Sequence, residues 1–108
     1  MKYMLLICGD ENGDFSNVDL DPTAWVDEMN ARGVRLEGNR LADTRAATTV
    51  RIRNADVVVT DGPFAETKEQ VGGYDILECA DLDEAVEFAS KHPVARIGTI
   101  EIRPFWDQ

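Results

Sequence analysis

From Lys2 to Cys8 the chain is apolar at both alternating sets of positions: Tyr3, Leu5 and Ile7 on one, Met4, Leu6 and Cys8 on the other. A strand apolar on both faces belongs in the middle of a sheet. An acidic loop, Gly9 to Leu20 with Asn12-Gly13 inside it, separates that strand from a first helix. Asp21 is placed to cap the helix, and Pro22 suits its first position, where no N–H is needed. Trp25, Val26 and Met29 form one apolar stripe, and Gly33 supplies a left-handed end after about three turns.

Residues 34–45 predict an irregular edge strand, with Val34, Leu36 and Leu41 around Gly38-Asn39. Thr48 to Arg53 alternates, with Val50 and Ile52 on one face, and Asn54-Ala55 turns the chain into Val57-Val58-Val59-Thr60, a hairpin. Asp61-Gly62-Pro63 breaks it. A polar loop over 64–71 and Gly72-Gly73 lead into a strand at Tyr74 to Cys79. The second helix has the clearest signals. Asp81 and Glu84 resemble a capping box, Leu82, Ala85, Val86 and Ala89 keep helical spacing with Phe88 widening the stripe, and Pro93 stops the helix. Thr99 to Arg103 is the last strand, with Ile100 and Ile102 inward.

The order predicts an α+β, ferredoxin-like fold: two β-α-β units with an added hairpin, an antiparallel sheet, and both helices on one face. The other face, lined by Tyr3, Leu5 and Ile7 or by their alternates, then needs a cover. A second copy of the chain packed sheet to sheet is the expected one, hence a homodimer. The 108 residues make a single domain, 1–108, without internal repeat or linker.

Composition narrows the classes. With 44% hydrophobic and 30% charged residues the chain is globular. No apolar run approaches the ~20 residues of a membrane span, and the N-terminal stretch is too short for a signal peptide, so a cytoplasmic protein is expected. A net charge of −10 with scattered bases argues against nucleic acid as a partner. Cys8 and Cys79 read as small buried side chains, and one histidine is too few for a zinc site. Asp10 to Asp14 superficially suggests a calcium loop, but the glycine offset is wrong and no closing bidentate glutamate follows. No metal or cofactor is expected.

The candidate chemistry concentrates in Thr60 to Tyr74. Asp61 is a candidate general base if desolvated, with Glu69 as a second acid. Pro63, Phe64, Glu66 and Lys68 are candidate ligand contacts, Lys68 for an anionic or carbonyl group. Arg103, on the last strand, is a further candidate, with an ion pair to a neighbouring acid as its equal alternative. The competing reading of the segment is an ordinary Asp-Gly-Pro turn with a solvated charged surface. His92 reads mainly as a helix-terminal residue interacting with the last carbonyls, and less as an acid–base group. Trp25 and Trp106 read as packing residues, Trp106 as a cover for a partner subunit.

The stretch Asp61-Gly62-Pro63-Phe64-Ala65-Glu66-Thr67-Lys68-Glu69 followed by Gly72-Gly73-Tyr74 resembles the signature of the DGPF branch of the YCII-related family. The opening Met1 to Ile7, Asp81 to Ala85, His92-Pro93 and Glu101 to Pro104 are similar to that family too. The resemblance implies a ferredoxin-like, dimeric α/β-barrel-type assembly with a pocket between sheet and helices. It also implies a functional link to extracytoplasmic-function sigma factors for some relatives. Two departures stand out: the first helix is short, and the helix-borne histidine of the classical branch has no counterpart, so lyase-type chemistry does not transfer. Three functions follow. The first is a small-molecule-binding, regulatory domain. The second is a cofactor-independent acid–base enzyme for a small aromatic or carbonyl-bearing substrate. The third is a structural or partner-binding dimer.

Overall fold

The computed structural model describes residues 1–106. The first strand, β1 (Lys2–Gly9), is followed by helix α1 (Thr23–Ala31), β2 (Arg35–Arg40), the hairpin β3 (Thr48–Arg53) and β4 (Asp56–Asp61), β5 (Gln70–Glu78), helix α2 (Leu82–Ser90) and β6 (Thr99–Pro104). Short 3-10 turns, Thr44–Ala46 and Pro93–Arg96, precede β3 and β6. Four strands form one antiparallel sheet in the order β2-β5-β1-β6, while β3 and β4 pair only with each other. This is the ferredoxin-like α+β arrangement with a hairpin inserted between its second and third sheet strands. Among the described residues no helix is long and apolar enough to cross a membrane.

Alternation along β1 divides the sheet into two unlike faces. Tyr3 and Leu5 are buried with Trp25 and Met29 of α1, Ala85, Phe88 and Ala89 of α2, and Leu77 of β5. Ile7, Ile100 and Ile102 pack against the same cluster, so both helices lie on this face. Met4 and Leu6 point the other way and are half-buried, paired opposite Ile76 and Tyr74. The central-strand assignment follows directly, since β1 is hydrogen-bonded on both edges.

Local chemistry accounts for the boundaries. Asp81 accepts the Glu84 N–H at 2.9 Å, and Glu84 Oε1 accepts the Ala80 N–H at 3.1 Å, a reciprocal cap reaching one residue further out than the usual box. At α1 the expected cap shifts by one: Pro22 holds the cap position, and Asp21 instead accepts from Thr23 N–H at 3.0 Å and Thr23 Oγ1 at 2.6 Å. Gly33 ends this helix at φ 71°, as its lack of a Cβ allows. The hairpin turns on Asn54 and Ala55 at φ 51° and 67°, the left-handed pair of a two-residue turn. The strand β5 starts at Gln70, earlier than Tyr74, because the glycines join the ladder: Gly73 pairs with Ile7, and the register slips between Ile7 and Cys8.

Replacing Asp81 by Ala should cost about 1 kcal/mol of stability by losing the α2 cap. Urea unfolding of the two proteins would measure it, with an unchanged m-value showing that the fold persists.

Candidate ligand-binding site

The sheet carries one acid on its helix-covered face. Asp75 of β5 stands opposite Leu5 on β1 and Gly38 on β2, and only 6% of it is exposed. A carboxylate there requires a partner. Arg35 supplies it, its Nε donating to Asp75 Oδ1 at 2.8 Å. The irregularity in β2 between Arg35 and Glu37 places the guanidinium: Arg35 pairs with Leu77, Gly38 with Asp75, and the side chains meet across the strand. A Cβ on Gly38 would collide with both the Asp75 carboxylate and the Arg35 guanidinium, so glycine is what lets the ion pair lie flat on the strand.

His92 follows α2 and is 5% exposed. Its ring meets Trp25 edge-on, with centroids 4.8 Å apart, while the Trp25 indole N–H donates to the Phe88 carbonyl at 2.9 Å. His92 Nδ1 accepts from the Val94 N–H at 3.1 Å. That bond requires an unprotonated Nδ1 and leaves the proton of the neutral ring on Nε2. The sequence-based reading of His92 as a helix-end cation is therefore corrected: the ring is buried, it serves the next turn, and burial lowers its pKa while the Asp75 charge pulls it back up. Burial likewise raises the Asp75 pKa, opposed by Arg35 and then His92.

These residues floor a cavity of about 360 Å³ between the sheet, α1 and the turn after α2. Its walls are largely apolar, with Ile7, Phe15, Leu20, Val26, Val94 and Ile97 among them. The acidic loop after β1 forms one side, held by Glu11, which accepts the Thr44 N–H at 2.9 Å and the Thr44 hydroxyl at 2.6 Å. Every buried side-chain nitrogen and oxygen has a partner among the described residues. Asp75 Oδ2 and His92 Nε2 make no hydrogen bond within the described chain, so they keep access to the cavity. The cavity thus offers an acceptor, Asp75 Oδ2, and a donor, the Nε2–H of the neutral His92 ring, in largely apolar surroundings.

The residues singled out from the sequence fall elsewhere. Pro63, Glu66 and Lys68 do come together, around a separate polar hollow of about 200 Å³ that Glu11 and Thr44 share. Asp61 ends β4 and is exposed, lining neither cavity. Phe64 is 82% exposed. Glu69 accepts the Thr99 hydroxyl at 2.7 Å. Arg103 lies on the sheet face away from the helices, opposite Met4, and pairs with Glu101 at 2.7 Å, which is the ion pair that was its alternative reading. Gln70 links the two regions: it lines both cavities and its amide donates to the Ala65 carbonyl at 2.9 Å, pinning the turn. The sequence reading named neither Arg35 nor Asp75, and it weighed His92 as an acid–base group only as the lesser alternative. One signal was available: Asp75 shares its alternation with Leu77, which places a charge on the buried face of an apolar strand.

A family model described as the YCII-related domain matches residues 1–107. The chain belongs to the YCII-related family. A relative, an uncharacterised protein of Rhizobium meliloti (strain 1021), is 48% identical over 67 residues. The match takes in 60% of this chain and 54% of that protein, so the chain spans about half the length of the curated relative it matches. In this YCII-related chain the family match thus runs through the whole cavity floor, from Ile7 to His92.

Two outcomes follow from the geometry. Because His92 titrates below about 6.5, its value in an unfolded chain, the unfolded chain takes up the proton first and stability falls as pH drops below that value. The raised Asp75 carboxyl acts with the opposite sign: the folded chain protonates first, adding stability as pH falls from its raised value towards the unfolded value of 3.8. An NMR titration should place the His92 pKa lower still in Asp75→Asn, which removes the charge that holds it up. Gly38→Ala should displace the Arg35–Asp75 pair and cost roughly 1–3 kcal/mol, read from denaturant curves.

Proposed function

We propose that this protein binds a small organic molecule in the cavity floored by Arg35, Asp75 and His92. The observation that carries the reading is the pairing of an apolar-walled cavity of about 360 Å³ with two free polar atoms, Asp75 Oδ2 and His92 Nε2, at its floor. A ligand that suits them has a compact apolar or aromatic body. It also carries a carbonyl oxygen to accept from His92 and a hydroxyl or acidic C–H to meet Asp75. A regulatory use of such binding accords with the resemblance to the DGPF branch.

The opposed pKa directions of Asp75 and His92 favour a second reading, acid–base catalysis on the same carbonyl compounds. A desolvated carboxylate takes a proton from the carbon beside the carbonyl, and the neutral imidazole donates its Nε2–H hydrogen bond to the oxygen that gains charge. This reading too uses the cavity, which Asp61 does not line.

A thermal-shift screen of small carbonyl and hydroxy-aromatic compounds tests the site. A compound present at one hundred times its Kd should stabilise by about 2.7 kcal/mol, an effect expected to vanish in Asp75→Asn and His92→Gln and to persist in Asp61→Ala. Loss in Asp61→Ala with retention in the other two would return the site to the turn. For any binder, exchange of its carbon-bound hydrogen with D₂O, followed by NMR, separates the readings: exchange that needs Asp75 indicates catalysis, and none indicates binding alone.

A further inference from the structure

Two cations line the cavity, Arg35 and Arg40, and they stand on the same strand in opposite circumstances. Arg35 is held by Asp75. Arg40 makes no side-chain hydrogen bond and no ion pair among the described residues. It lines the cavity and is nevertheless exposed, so it stands at the mouth.

The register explains why Arg40 faces inward. Residues paired across an antiparallel ladder point to the same side of the sheet. Arg40 pairs with Gly73 on β5, and Gly73 pairs with Ile7 on β1. Gly73 is in phase with Asp75 and Leu77 on the helix-covered face, so Arg40 shares that face. Gly73 has no side chain to fill the space between Arg40 and Ile7, and a Cβ there would press on the Asn39 carbonyl oxygen at 3.1 Å and the Arg40 Cα at 3.6 Å. The ladder continues past Arg40, because the Leu41 N–H donates to the Gly72 carbonyl at 2.9 Å. A side chain on a paired strand is placed more precisely than one on a loop.

The acids at the mouth are engaged elsewhere. Glu11 accepts the Thr44 N–H through one carboxylate oxygen and the Thr44 hydroxyl through the other. Asp10 accepts the Asn12 N–H at 2.9 Å. The net charge of −10 repels anions at long range, but physiological salt screens exposed charges beyond about 8 Å, so the local cation decides what the mouth accepts. A guanidinium at the rim of an apolar cavity is the kind of polar group that fixes a ligand's orientation. Its planar fork matches a carboxylate through two parallel hydrogen bonds. Arg40 lies two residues along β2 from Gly38, the partner of Asp75, a step of roughly 7 Å. An aromatic ring or a short aliphatic chain bridges that step.

We propose that the cavity selects carboxylic acids. The ligand's carboxylate pairs with Arg40 at the mouth, its apolar body lies over Gly73 against Ile7, and its carbonyl or hydroxyl group reaches Asp75 and His92 at the floor. The inference rests on the reading of the cavity as the binding site and narrows its ligands to those that carry a carboxylate one ring or short chain away from the carbonyl or hydroxyl. Arg40 is then a specificity residue, which touches the ligand and takes no part in proton transfer.

Isothermal titration calorimetry of the full chain at pH 7 tests this with matched pairs: para-acetylbenzoate, meta-acetylbenzoate and benzoylpropanoate, each against its methyl ester. At least one acid should bind roughly tenfold more tightly than its ester. Arg40→Gln should abolish that preference by weakening the acid and leaving the ester unchanged. The melting temperature of the ligand-free variant should stay at the wild-type value, because the Arg40 side chain holds nothing in its own chain. Arg40→Lys keeps the charge without the fork and should restore part of the preference. Esters that bind as well as their acids, while still requiring Asp75 and His92, overturn the proposal and leave the cavity reading in place. An acid preference that survives Arg40→Gln overturns it as well. Binding that survives both Asp75→Asn and His92→Gln, or no binding by any of these compounds, overturns the cavity reading and this inference with it.

Discussion

The Asp75 carboxylate is the constraint around which the cavity is built. A carboxylate on the covered face of a sheet cannot be left alone, and its compensation recruits three other features. Arg35 pairs with it across β2, an irregularity in β2 aims the guanidinium, and Gly38 removes the side chain that would otherwise occupy the space. His92, which lines the same cavity, completes the floor. Hydrophobic residues of the same size would pack this position at less electrostatic cost. An arrangement that instead keeps one carboxylate oxygen and one imidazole nitrogen free in an apolar cavity makes sense as a means of holding something.

The sheet has two unlike faces. Its odd-numbered β1 positions lie under the helices and end at the cavity, through Ile7; its even-numbered positions, Met4 and Leu6, form the opposite surface. The inserted hairpin adds a second exposed apolar surface, made of Val50, Ile52, Val57 and Val59.

Much of the fold was legible because period and punctuation agree. The double apolar pattern of Lys2 to Cys8 placed β1 in the centre, Asn54-Ala55 turned the hairpin, and Asp81 with Glu84 opened α2. The discrepancies were local: a cap moved from Asp21 to Pro22, and β5 begun at Gln70 because glycines can pair in a ladder as readily as they break one. The site was less legible for a physical reason. A dense charged motif, Asp61 to Glu69, draws attention by composition, but its charges are mostly in water. Arg35, Asp75 and His92 are spread over 58 positions in sequence and meet only through the β2–β5 register and the end of α2. No spacing rule joins them. Asp75 left one signal that the sequence reading did not use, a charge in phase with Leu77, and His92 was read mainly as a helix-terminal residue because its burial is not visible in sequence.

The most direct test of the central claim is the ¹⁵N spectrum of the His92 imidazole, recorded with and without a bound small molecule. The account predicts a neutral ring at pH 7 with its proton on Nε2. Binding should shift the Nε2 resonance while Nδ1, held by the Val94 N–H, stays nearly constant. A charged imidazole at that pH, or a bound molecule that leaves Nε2 untouched, would contradict it.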